Sequence, residues 1–224
     1  MRVLSFDVGI KNLAFCLLNK NDGLIEDWGI LNICIDEICE HCHNGKRCEK
    51  SCSYYCSDIK VCTSHKDLKK YKDYKWKKMP KIKGMVLETG KKMIRLLDEK
   101  VDFLNVDAVI IENQPALKNP TMKTIQMMLY SYFLIKGIVI EERSLSTIEM
   151  INARNKLKAY KGPEIKCDIA DRYKKTKFLG IEYCRYMIQE NQKIEDKWRE
   201  IFASSKKKDD LADAYLQGIY YLGN

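Results

Sequence analysis

The sequence predicts an α/β chain: a mixed five-stranded sheet flanked by helices and interrupted by a small Cys/His-rich insertion. Three observations carry that expectation. Residues 2–8, 12–19 and 24–33 are apolar, β-branched-rich runs, the first two joined by a tight turn at Gly9–Lys11. Connections that short imply antiparallel neighbours. Seven of the ten cysteines and all three histidines then crowd into residues 34–65. Beyond residue 84, helical and strand-like apolar patterns alternate.

Taken in order, the first strand reads Arg-Val-Leu-Ser-Phe-Asp-Val and ends at Gly9. After the insertion, Met85, Leu87, Met93, Ile94, Leu97 and Val101 recur at helical spacing, predicting a crossover helix over 85–104. The run 107–112 predicts a strand. A helix over 120–136 then leads to a short strand, Ile138–Glu142. Helices are expected near 174–190 and 194–203, and a last one over Asp209–Leu222. Its Leu211, Tyr215, Ile219 and Leu222 form an apolar stripe. The order β-β-β-α-β-α-β-α is ribonuclease H-like, formed by residues 1–33 and 84–224 with residues 34–83 inserted.

Bulk composition bounds the function. A chain of 224 residues suits one domain with a sizeable insertion. Forty basic against thirty-one acidic residues give +9, which favours a polyanionic partner. No apolar run approaches the roughly 20 residues of a membrane span. The first strand begins at residue 2, so no signal peptide is expected. An intracellular protein follows, with its cysteines read as thiols or metal ligands before disulfides.

Cys16, Cys167 and Cys184 stand singly in apolar or amphipathic stretches and suit buried thiols. The segment 34–65 has few large aliphatic residues and can hardly build a core. Structural Zn²⁺ held by thiolate and imidazole would supply the missing folding energy. Cys62 and His65 make a tight closing pair. The opening pair is Cys39 with Cys42, or Cys42 with Cys48 across the Asn-Gly-Lys turn. Cys34, Cys52 and Cys56 are left over, enough for a second ion.

Residues 66–83 hold nine lysines against Asp67 and Asp73, with Tyr71, Tyr74 and Trp76 among them. Lysines neutralise phosphates and aromatic faces stack on unpaired bases, which makes Lys69, Lys70, Lys77 and Lys78 candidate DNA contacts. The competing reading is a solvated linker.

Four acids carry the chemistry. Asp7 lies near the end of the first strand and Glu112 at the end of the strand 107–112. Asp210 and Asp213 lie three apart on one face of the last helix, with Gln217. A buried mid-sheet carboxylate is costly without a cation, so these acids suit hard divalent metals better than turn caps. Asp209, after three lysines, suits the N-cap.

Asp7-Val-Gly-Ile-Lys-Asn-Leu-Ala resembles the first motif of RuvC-type Holliday junction resolvases, in particular the branch of poxviruses and other large DNA viruses. Ile111-Glu-Asn-Gln-Pro resembles the second acidic motif. Lys208-Asp-Asp-Leu-Ala-Asp-Ala resembles the terminal Asp-x-x-Asp helix, and Arg172-Tyr-Lys-Lys is similar to a basic motif of the viral members. The insertion departs from the bacterial pattern.

The resemblance implies a homodimer that cuts opposed strands of a four-way junction, in a virus at its cytoplasmic replication site. Asp7 is expected to bridge two Mg²⁺ or Mn²⁺ ions, with Glu112 on one side and Asp210 and Asp213 on the other. Lys11, Lys174 and Lys175 become candidate phosphate contacts, against plain surface solvation. The rivals are a related nuclease of flaps or RNA–DNA hybrids, and an inactive zinc-bearing DNA-binding protein.

Overall fold

Val3, Leu4, Ser5 and Phe6 are all fully buried, so the first strand must be covered on both faces and takes the middle of a sheet. The computed structural model describes residues 1–20, 24–80, 85–117, 119–140 and 144–223. In chain order, β1 (Arg2–Val8), β2 (Asn12–Asn19) and β3 (Leu24–Asn32) precede five short strands of the insertion. Those are β4 (Cys42–His43), β5 (Lys46–Arg47), β6 (Tyr54–Cys56), β7 (Ile59–Val61) and β8 (Lys77–Lys78). Next come α1 (Met85–Asp98), β9 (Ala108–Glu112), α2 (Pro120–Phe133) and β10 (Thr147–Ile151). Helices α3 (Arg172–Glu190), α4 (Asp196–Ser204) and α5 (Lys208–Leu222) complete the chain. The main sheet has the order β10-β9-β1-β2-β3, with β9 parallel to β1 and β10 and the other pairs antiparallel.

Alternation along β1 and β9 sends opposite residues into two layers. Leu4, Phe6, Val8, Val109 and Ile111 pack with Ile125, Leu129 and Phe133 of α2 and with Met93 and Leu97 of α1. On the other face, Ala14, Cys16, Leu18 and Trp28 meet Leu211, Ala212 and Tyr215 of α5. Cys184 and Ile188 of α3 and Trp198 and Phe202 of α4 join that cluster. Burying each large side chain contributes roughly 1.5–3 kcal/mol. Gly218 lets α5 approach closely, since a Cβ there would come within 2.6 Å of Leu18.

Two compact units result: Met1–Ile33 with Gly90–Asn224, and Cys34–Thr89. In the second, β6 pairs with β7 and β8, and β4 pairs with β5. Tyr71 joins Cys39, Val61 and Cys62 in a small buried cluster. The lysine-rich stretch is therefore no linker as far as residue 80; Lys81 and Lys83 lie outside the described residues. Among the described residues, no helix is long and apolar enough to cross a membrane.

Four expectations are corrected. Ile138–Glu142 is no strand over its described part, because α2 runs on as a π-helical turn, Leu134–Val139; Glu141 and Glu142 lie outside the described residues. The edge strand is β10, where Ile148 and Ile151 reach apolar clusters. Val139 and Ile140 instead stay 69% and 67% exposed, so local β propensity lost to burial. The helix expected over 85–104 stops at Asp98, and a 3₁₀ turn, Val101–Leu104, buries Phe103 and Leu104. Tyr71 of the aromatic group is core, not a free stacking face. Asp209 does not cap α5: Lys207 holds that position, and Asp209 accepts from the Lys177 ammonium of α3 at 2.6 Å.

Candidate active site and metal centre

Register places the first two acids. Phe6 pairs with Ile111 across the parallel β1–β9 ladder, so Asp7 and Glu112 are the next residues of adjacent strands. Both fall on the side chains' α5-facing alternation, with Ser5 and Ile110. Their carboxyls share a hydrogen bond. Gln217 of α5 donates to Ser5 Oγ and to the Phe6 carbonyl, each at 3.1 Å, pinning the helix to the strands. Asp213, one turn before Gln217, is thereby delivered to the same sheet end. Gln114 supports the group from behind, donating to Glu112 at 2.7 Å and to the Val8 carbonyl at 3.2 Å.

One ammonium joins these acids. Lys156, from a 3₁₀ segment at Ala153–Ala159, lies 3.5 Å from Glu112 and bonds Asp213 directly. Asp210 has other partners: a hydrogen bond with Asn12, and Lys207 at 3.8 Å. The structure thus gathers Asp7, Glu112 and Asp213 around Lys156, with Asp210 on the preceding turn of α5. Lys156 is the residue that sequence reasoning missed; nothing in Arg-Asn-Lys-Leu-Lys distinguishes it from its neighbours.

Burial first, and then the charges of Glu112 and Asp213, push Asp7 well above the ordinary carboxylate range. Burial also raises Asp213 to about 6 against the pull of Lys156. Burial raises Asp210 as well, with Asp209 adding to it. Burial would lower Lys156, but Asp213, Glu112 and Asp7 hold it above its usual value. Desolvated, mutually repelling oxygen donors that already attract the Lys156 ammonium could also hold a hard divalent ion.

The candidate DNA contacts are all exposed. Lys11 occupies the β1–β2 turn, Lys174 and Lys175 the first turn of α3, Lys69 and Lys70 a 3₁₀ turn, and Lys77 and Lys78 strand β8. Asp171 caps α3 by accepting from the Lys174 amide at 2.7 Å.

In the cysteine-rich unit, Cys39, Cys48, Cys62 and His65 bring their ligand atoms within 4.8 Å of one another. His65 Nδ1 lies 3.4 Å from both the Cys39 and the Cys62 sulfur. Three thiols and an imidazole at such spacing suit tetrahedral Zn²⁺. Burial opposes the Cys62 thiolate, yet hydrogen bonds from the Ser64 backbone and from the Cys39 and Cys48 thiols hold Cys62 below its usual range. Neither expected opening pair forms. Cys42 sits exposed on β4, and Cys39 with Cys48 takes its place, since the β4–β5 hairpin loops out between them. Cys34, Cys52 and Cys56 do not join the cluster. Cys16 and Cys184 are buried free thiols, and Cys167 is half-buried.

No family model matches the chain. It is 36% identical over 188 residues to the uncharacterized protein L451 of Acanthamoeba polyphaga mimivirus, a match covering 77% of this chain and 43% of that protein. The chain thus spans less than half the length of this curated relative. The yeast mitochondrial Holliday junction resolvase Ydc2 superposes with a TM-score of 0.55 at 16% identity, over 99% of this chain and 78% of the other. Thermus thermophilus RuvC superposes with a TM-score of 0.50 at 10% identity, over 98% and 92%. The five-stranded mixed sheet with its flanking helices is the ribonuclease H-like fold of the RuvC-like Holliday junction resolvases.

Proposed function

We propose that this chain is a divalent-metal-dependent endodeoxyribonuclease that resolves four-way DNA junctions as a homodimer. The carrying observation is the convergence of Asp7, Glu112 and Asp213 at one end of a resolvase-like sheet, around a buried lysine. Asp7, Glu112 and Asp213 would hold Mg²⁺ or Mn²⁺, with Asp210 available one helical turn away. When bound, such ions activate a water and stabilise the leaving 3′ oxygen. Gln114 and Gln217 fix the carboxylate positions, directly and through α5. Lys156 offsets repulsion among the acids and keeps a positive charge where a phosphodiester would gather negative charge.

Zn²⁺ on Cys39, Cys48, Cys62 and His65 would fold the cysteine-rich unit and take no part in the chemistry. Lys11, Lys174 and Lys175 would meet backbone phosphates, and Lys69, Lys70, Lys77 and Lys78 would do so from the second unit. The mimivirus relative and the likeness of the motifs to the viral branch support a role in viral DNA processing.

The test is incubation of the protein with synthetic four-way junction, duplex, flap and RNA–DNA hybrid, with and without Mg²⁺. Symmetric Mg²⁺-dependent nicks in the junction are expected. Preferential cutting of flap or hybrid would move the chain to the rival nuclease class, and binding without cutting would leave a DNA-binding protein.

A further inference from the structure

We propose that the cysteine-rich unit carries a cradle for the phosphodiester backbone of DNA, lined by His41, His43, Lys46, Arg47 and Lys70. The proposal rests on the nuclease reading above and assigns the second unit its own contact with that substrate. These five side chains, with Cys48, His65 and Leu68, surround a concavity of about 630 Å³.

The frame is stiff for a reason visible in the sequence. Asn44 and Gly45 take φ of 49° and 73°, the left-handed pair that a two-residue hairpin loop demands and that Asn-Gly tolerates best. His43 pairs with Lys46 and Cys42 with Arg47. The Cys48 amide donates to the His41 carbonyl at 2.9 Å and closes the base of the hairpin. Cys48, the residue after Arg47, is one of the four gathered metal-type ligands, so metal binding would anchor the basic strand directly.

Charge is segregated around this frame. Among the described residues, no carboxylate lines the concavity. Several neighbouring acids have partners outside the concavity: Glu37 pairs with Lys60, Glu40 accepts from the Lys60 amide at 3.2 Å, and Asp67 lies 3.7 Å from Lys66. Lys46 and Arg47 have no anionic partner among the described residues either. The Lys70 ammonium sits 4.8 Å over the Tyr71 ring, positioned by an aromatic face and not by an acid. His41 is buried, its ring 4.0 Å from that of His65, and its Nδ1 has no hydrogen-bond partner. Cations held together without acids are a surface short of an anion. A guanidinium in the same concavity as two lysines suits phosphate, which accepts bidentate hydrogen bonds from arginine and point charge from lysine. A row of phosphates, as DNA supplies, matches cations spread along a hairpin and the turn of Lys70.

The experiment uses the full zinc-loaded chain, a fluorescein-labelled synthetic four-way junction, and Ca²⁺ in place of Mg²⁺. Lys46→Gln/Arg47→Gln is compared with Lys72→Gln/Lys75→Gln, which removes the same charge from the same unit outside the cradle. The cradle variant is expected to bind roughly tenfold or more weakly, with its log affinity–log salt slope reduced by roughly 1.8, or 0.9 per phosphate no longer neutralised. The control should change less than about twofold. Equal losses in the two variants, or unchanged affinity and slope in the first, would overturn the cradle. So would stronger competition from polyglutamate than from unlabelled DNA, which would indicate an acidic protein partner. If the double variant loses zinc, Arg47→Lys decides: it keeps the charge and the slope but loses bidentate bonding, and affinity should fall several-fold. No loss there overturns the proposal. Junction neither bound nor cleaved by the wild type would sink the nuclease reading itself, whereas cleavage with the two double variants binding alike would sink the cradle alone.

Discussion

The sheet unit fully buries Phe6, Phe103, Phe133 and Phe202, while the apolar cluster of the cysteine-rich unit is Cys39, Val61, Cys62 and Tyr71. The first has enough apolar burial to fold around its own core, and enough to tolerate desolvated like charges at its end. The second has two cysteines among its four core residues, and its stability is expected to depend on metal. On the proposed function, one unit would expend stability to hold a cation site for chemistry, and the other would need a cation in order to fold.

The largest expected effect separates the two. Stripping zinc with a strong chelator should unfold residues 34–80, a loss on the order of 10 kcal/mol for such a site. Amide-exchange protection should collapse there while β1 and β9 stay protected. Cys48→Ser should lose the metal, measured as zinc per chain, whereas Cys42→Ser should keep it. Zinc loss in Cys42→Ser would mean that the hairpin closes on the ion, contrary to the gathered set.

Next comes Asp7→Asn. Junction turnover should fall by roughly 10³-fold, about 4 kcal/mol, because a metal ligand loses its charge while the shape of the side chain persists. In EDTA, the melting temperature should rise, since one repelling carboxylate leaves a buried group. Wild-type turnover by the variant would end the metal-site assignment.

A smaller effect concerns pH. Asp213 sits at about 6 against an ordinary 3.8, so the folded state binds its proton more tightly than the unfolded chain does. That contribution to stability is full below about pH 4 and is lost as pH rises through about 6, an effect of roughly 2–3 kcal/mol. Urea midpoints in EDTA should therefore fall over that window more steeply for the wild type than for Asp213→Asn. Mg²⁺ affinity should rise over the same window, because protons leave the ligands. Identical pH slopes in the two proteins would show that Asp213 titrates normally.

The smallest effect belongs to Lys174→Gln/Lys175→Gln. Junction affinity should drop only a few-fold, with the salt slope reduced by roughly 0.9 for each phosphate that either lysine neutralises. An unchanged slope would remove the α3 N-terminus from the DNA path and leave the exposed lysines of the cysteine-rich unit as the main electrostatic grip on the junction.

Strands β1, β2 and β9 were legible as continuous apolar runs buried on both faces, and the terminal helix by its apolar stripe; the acids stood out as charges within or beside those apolar stretches. The candidate phosphate-contacting lysines were less legible, since exposed cationic side chains carry no periodic signature.

What the sequence by itself determined was the set of regular elements and the chemical character of the two units: oxygen donors at strand and helix ends in one, sulfur and imidazole in the other. Tertiary structure alone decided which residues meet. It placed Lys156 among the acids from a segment without pattern. It chose Cys48 over Cys42 and gave the sheet edge to Thr147–Ile151 over the more apolar Ile138–Ile140. Local periodicity fixes which way a side chain faces along its own element. Ligand choice and strand choice depend on distances across the fold, between residues far apart in the chain, and no local pattern encodes those.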